Sequence, residues 1–128
     1  MLKIKSWYCL ALGSLVLAGC ATNTITNLTA RQTVRDPSGL YRIEARWDSN
    51  QRSVRPDSLK PYVMVGVESY PMQRTPLTPN RWQVLVPVAT NQTFLSYRFK
   101  FDYLYDSIPV PQPDSRLSSS YELEIQDK

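Results

Sequence analysis

Histidine is missing from all 128 residues, cysteine occurs twice and glycine four times. Without histidine no Ser-His or Cys-His nucleophile pair can be assembled, and the usual zinc ligand sets are out of reach. The few glycines form neither a phosphate-cradling loop nor a dinucleotide-binding turn. No spacing of acidic residues matches a dedicated calcium loop. Long apolar runs are lacking too: the uncharged stretch Trp7–Ala18 has 12 residues, whereas a bilayer-spanning helix needs about 20. No segment of useful length carries a helical period, and there is no internal repeat or low-complexity tract. These absences exclude most catalytic chemistries and leave a chain that reads as strands.

What is present begins with "MLKIKSWYCLALGSLVLAGC". Lys3 and Lys5 precede the apolar stretch, and small residues, Ala18 and Gly19, follow it, the layout of a secretory signal peptide. The four residues "LAGC", Leu17–Cys20, resemble the lipobox of bacterial lipoproteins: Leu, two small residues, then Cys. That resemblance implies cleavage between Gly19 and Cys20, diacylglycerol on the Cys20 sulfur, and a further acyl chain on the new amino terminus. Cysteine suits the attachment, because its thiolate is the strongest nucleophile among ordinary side chains. Each buried methylene contributes about 0.8 kcal/mol, so two or three acyl chains hold a protein at a membrane where one does not. In enteric members of the family Ala21, rather than Asp, after the Cys implies the outer membrane, at its periplasmic face or on the cell surface. No cofactor is implied beyond the lipid itself.

Removal of residues 1–19 leaves 109, the size of one domain. Cys9 departs with the signal peptide and Cys20 carries lipid, so no disulfide is available to the fold. The loss of Lys3 and Lys5 leaves 13 Lys and Arg against 11 Asp and Glu, a net charge of +2. That balance carries no nucleic-acid signal. The organisation expected is signal peptide 1–19, lipidated tether 20–26 and a single domain over 27–128.

Within that domain a period of two recurs, the pattern of half-buried strands. "LYRIEARW" sets Tyr41, Ile43, Ala45 and Trp47 on one face. "RWQVLVPVA" does so with Trp82, Val84, Val86 and Val88, and Pro87 marks a strand end because it cannot donate to a ladder. "FLSYRFKFDYLYD" alternates from Leu95 to Tyr105, and "SSYELEIQ" from Tyr121 to Ile125. "PYVMVGVESY", Pro61–Tyr70, is apolar on both faces and reads as one central strand; a weaker strand is expected in "TITNLTAR". Six strands, with a seventh near "PMQRT", predict an all-β fold: a single antiparallel β-sandwich, with a barrel as the structural rival.

From Leu40 to Ile125 the pattern resembles the immunoglobulin and fibronectin type III sandwiches. The resemblance implies that Tyr97 caps a corner with its hydroxyl on upstream backbone. It also places Arg98 and Lys100 beside Glu122 and Glu124 as a cross-strand charge ladder. The cysteine pair of antibody domains is absent.

Binding or assembly, with no catalytic residue, is the function expected, toward the membrane through lipid and toward an envelope protein or glycan. Tyr62, Met64 and Tyr70 share one face of the expected central strand and are the candidate ligand contacts, since an exposed apolar patch marks a partner surface. A glycan-binding alternative rests on "RWQVLVPVATNQTFLSYRFKFDY", which loosely resembles starch-binding sandwiches, with Trp82 and Tyr97 at the matching positions. A hydrolase, the third reading, would use Asp102, Asp106 and Asp114. The proline-rich "YDSIPVPQPDSRLSSS" predicts a stiff connection or a preformed recognition segment.

Overall fold

In the computed structural model, which describes residues 22–127, the alternating side chains close into two facing sheets. The signal stretch, Gly19 and Cys20 lie outside the described residues. Ten strands are described: β1 (Asn23–Asn27), β2 (Gln32–Val34), β3 (Leu40–Ser49), β4 (Lys60–Val65), β5 (Glu68–Pro71), β6 (Gln73–Arg74), β7 (Arg81–Pro87), β8 (Phe94–Tyr105), β9 (Gln112–Leu117) and β10 (Tyr121–Gln126). The smaller sheet has the order β1-β3-β7-β6. The larger runs β2-β10-β8-β4-β5, with β9 also paired to β8. The pairings are antiparallel except that of β2 with β10. The fold is an all-β sandwich, and β2, β5, β6 and β9, which the alternation does not single out, lie at the edges of its sheets.

The core is built by the alternations read above. Ile43, Ala45, Val63, Val86, Phe99 and Phe101 are fully shielded, while Arg42, Arg46, Ser96 and Arg98 face solvent. Trp47 of β3 stacks on Phe101 of β8 with ring centroids 5.0 Å apart and planes 15° from parallel, joining one sheet to the other. Near the other end of β8, Tyr97 and Phe99 meet edge to face at 5.7 Å, with Tyr121 of β10 within 6.0 Å of both rings. Such pairs add about 0.5–1.5 kcal/mol each beyond their buried area.

Five expectations are corrected. The run Pro61–Tyr70 is a hairpin, not one strand: Val65 pairs with Glu68 across a turn at Gly66 and Val67. Gly66 has φ +57°, the conformation that the first central residue of a two-residue hairpin turn requires, and glycine adopts it without a Cβ clash. Residues 23–26, expected to belong to a tether over 20–26, are strand, because β1 opens at Asn23; Ile25 packs on the core and holds the strand in place. Glu122 lies opposite Ser96 and Glu124 opposite Phe94, so the expected ladder with Arg98 and Lys100 is out of register and no ion pair joins them among the described residues. Part of the proline-rich segment is β9, an edge strand; Pro113 is tolerated there because one side of the strand has no ladder to complete.

Tyr97 does not bond to upstream backbone. Its hydroxyl accepts from Asn27 Nδ2 at 2.9 Å, and the Tyr103 hydroxyl accepts from Asn23 Nδ2 at 3.1 Å while donating to Asp114 at 3.2 Å. Asn23, Ile25 and Asn27 alternate along β1, so one face of a five-residue strand supplies an apolar contact flanked by two amides. These bonds tie the edge of the smaller sheet to the central strand of the larger one.

Two predictions follow from this packing. Phe101→Ala removes a fully buried ring and its stacking partner for Trp47, and is expected to cost about 3–5 kcal/mol in urea unfolding. A loss below about 1 kcal/mol would mean the sheets are joined elsewhere. Burial lifts the phenols of Tyr97 and Tyr103 above the ordinary 10.0, outweighing the amide bonds, which act in the opposite direction. The unfolded chain therefore ionises first. Stability from these groups is intact below about pH 10 and is lost as pH rises through the folded values. The slope of unfolding free energy against pH in that alkaline window should be shallower in Tyr97→Phe; identical slopes would refute the assignment.

Candidate functional site

The outward face of β4, β8 and β9 combines the half-exposed aromatic and sulfur side chains with a cluster of charge. The registers place Tyr62 beside Lys100, Met64 beside Arg98 and Lys60 beside Asp102. On the other side of β8, Leu117 lies beside Lys100, Ser115 beside Asp102 and Pro113 beside Leu104. A shallow cleft of about 510 Å³ runs over this surface, lined by Lys60, Tyr62, Lys100, Asp102, Leu104 and Pro113, among others. Asp102 Oδ1 accepts a hydrogen bond from the Ser115 hydroxyl at 2.5 Å and lies 3.6 Å from Lys100 Nζ. The Ser69 hydroxyl donates to the Met64 sulfur at 3.2 Å. Arg98 is exposed and has no ion pair among the described residues, so the strip is net positive with an apolar margin at Leu117 and Leu104.

Of the three residues singled out from the sequence, the fold brings two together. Tyr62 and Met64 are half-buried on this face. Tyr70 is on the other: it pairs with the fully buried Val63 and packs against the core. The two-residue turn is the physical reason, because the hairpin puts Tyr70 opposite Val63 rather than in line with Tyr62. Gly66, standing between two apolar segments, was the one signal in the sequence that could have revealed it.

Tyr62 and Tyr70 therefore present no coplanar platform, and Trp82 and Tyr97 are both buried. Arg74 covers the Trp82 indole, its guanidinium carbon 4.6 Å from the ring centroid, and the buried indole N–H has no acceptor among the described residues. The three acids also fail to converge. Asp102 is engaged by Ser115 and Lys100 on the outer face, while Asp114 accepts from Tyr103 toward the seam between the sheets. Asp106 forms an ion pair with Arg55 at 2.7 Å. Among the described residues no three His, Cys, Asp or Glu side chains cluster to hold a metal ion. The arrangement offers cations, a phenol, a thioether and apolar edges, and it can hold a polar or acidic partner without a nucleophile–base pair.

No family model, no curated protein and no solved structure matches the chain.

Proposed function

We propose that the chain is a lipid-anchored lipoprotein of the bacterial envelope whose sandwich acts by binding or assembly. The observation that carries this reading is "LAGC" directly ahead of a folded domain, with Cys20 three positions before β1 opens at Asn23. Lipid on Cys20 would hold such a domain at a surface it has no means of crossing with a helix: none among the described residues is long and apolar enough to span a membrane. Ala21 after the cysteine favours the outer membrane. The outward strip around Tyr62, Met64 and Arg98 is the surface for a partner, because aromatic residues, Met and Arg are the side chains enriched at protein interfaces. Its excess of cations suits an acidic partner.

Replacing Cys20 with Ser tests the anchor. The wild-type chain should fractionate with membranes at the mass of residues 20–128 plus acyl groups, and the Cys20→Ser chain should keep its signal segment and carry no acyl mass. Membrane association and mass unchanged by the substitution would defeat the reading. For the partner surface, crosslinking in intact cells should yield an adduct that is lost in Tyr62→Ala/Arg98→Glu while the unfolding midpoint stays put. An adduct that persists in that variant places the interaction elsewhere.

A further inference from the structure

We propose that the end of the sandwich from which the tether emerges lies on the lipid surface, with the tips of two loops seated in the interfacial layer. This rests on the lipoprotein reading of Cys20. Strand registers fix which end that is. Asn23 pairs with Ser49, and Thr22 and Asn50 exchange hydrogen bonds, so the chain enters where β3 ends. Arg81, the first residue of β7, pairs with Arg46 near the end of β3, which puts the Thr75–Asn80 loop at that end. Asn23 bonds to Tyr103 near the end of β8, and Val54 bridges to Tyr105, which brings the Asp106–Pro111 loop to the same end.

These loops carry apolar side chains left exposed among the described residues. Leu77 is fully exposed at the tip of one; in the other, Ile108 is 96 % exposed and Val110 is 55 % exposed. Leu77 is also held at φ +63°, a left-handed conformation that is an outlier for a bulky residue. Outliers of this kind persist where the surroundings enforce them, and they concentrate at ligand clamps and other functional positions. Here Thr78 closes the turn, its N–H and hydroxyl both donating to the Thr75 carbonyl, and Arg74 donates to the Pro79 carbonyl at 2.6 Å. Pro76, Pro79, Pro109 and Pro111 stiffen both loops, so presenting these side chains loses little conformational freedom.

Proximity supplies the occupant. Cys20 precedes Thr22 by two residues, a reach of at most about 7 Å for a fully extended chain. With acyl chains on Cys20 in the bilayer, this end of the domain cannot leave the headgroup region. Leucine, isoleucine and valine at the tips then gain by moving out of water, and Arg52, exposed in the neighbouring 50–59 loop, can keep its charge among the headgroups. Among the described residues the opposite end carries one fully exposed aliphatic tip, Val67 at the β4–β5 turn, and it lies away from the start of β1, which makes it the internal control.

The test uses the full chain, expressed with its signal segment, purified in detergent and reconstituted into phosphatidylethanolamine–phosphatidylglycerol vesicles. A single cysteine is introduced as Leu77→Cys, Ile108→Cys or Val67→Cys and labelled with an environment-sensitive fluorophore. In a processed, lipidated chain it is the sole thiol, so mass spectrometry should find one label. Vesicle flotation should carry the protein. Emission from positions 77 and 108 should shift to the blue and be quenched by nitroxide-bearing lipids, with position 67 unaffected. If the chain floats with one label but 77 and 108 report water as 67 does, docking is wrong and the anchor stands. If the chain fails to float and Cys9 and Cys20 label as well, the anchor falls and takes docking with it. Quenching at 67 in place of 77 and 108 would invert the orientation and overturn the proposal.

Discussion

Every second side chain of β8 from Leu95 to Tyr103 is buried, and the fold depends on that alternation more than on any other feature. β8 pairs with β10 over its first residues, with β4 through its middle and with β9 toward its end. Its inward residues are also the ones that meet the smaller sheet. Trp47 against Phe101 joins β3 to β8, the strands that antibody domains connect through a disulfide. A domain with no thiol to spare thus fastens its sheets by ring stacking, burial and hydrogen bonds. Asn23 and Asn27 extend the attachment to the edge by binding hydroxyls of the same strand.

What could be read in the sequence followed period two. β3, β7, β8 and β10 were evident because each alternates a buried with a solvent-facing side chain, and that contrast is what a half-buried strand writes into its residues. The hairpin of β4 and β5 was hidden because Val63, Val65 and Val67 continue an apolar rhythm straight through the turn, although Val67 is exposed. β9 was hidden for the opposite reason. An exposed edge strand needs no apolar face, so Pro113, Asp114 and Ser115 read as loop. Register was the least legible of all, since side-chain pattern fixes which face a residue joins but not which partner it meets: Glu122 falls opposite Ser96, two places from Arg98.

The candidate site shows how one local feature propagates. Because a glycine with φ +57° turns the chain within two residues, Tyr70 falls on the core side while Tyr62 and Met64 stay outside beside Lys100 and Arg98. Three aromatic or sulfur side chains expected on one strand face become two on a charged face spanning β4 and β8. The change of neighbours alters the chemistry of the surface, from a sugar-stacking platform to a cationic strip with apolar margins. The sandwich order was inferable from strands alone, but the character of this face required the pairing.

Polarity along the strands connects that face to the proposed anchor. The chain enters beside the end of β3, whereas β10 carries the carboxyl terminus the other way, with Glu124 opposite Phe94 at the start of β8. The strand axes therefore run from the end where β1 begins to the end where β10 finishes, and the outer face of the larger sheet lies along those axes. With Cys20 in the bilayer and the 75–80 and 106–111 loops seated on it, that face would stand upright from the membrane. Tyr62 and Met64 would be presented sideways to a neighbour in the same leaflet rather than toward it or away from it. With Cys20 only two residues ahead of Thr22, lipid at that position would make this orientation follow from the fold: the domain could not turn its other end to the lipid without breaking the bonds that hold Thr22 and Asn23 to Asn50 and Tyr103.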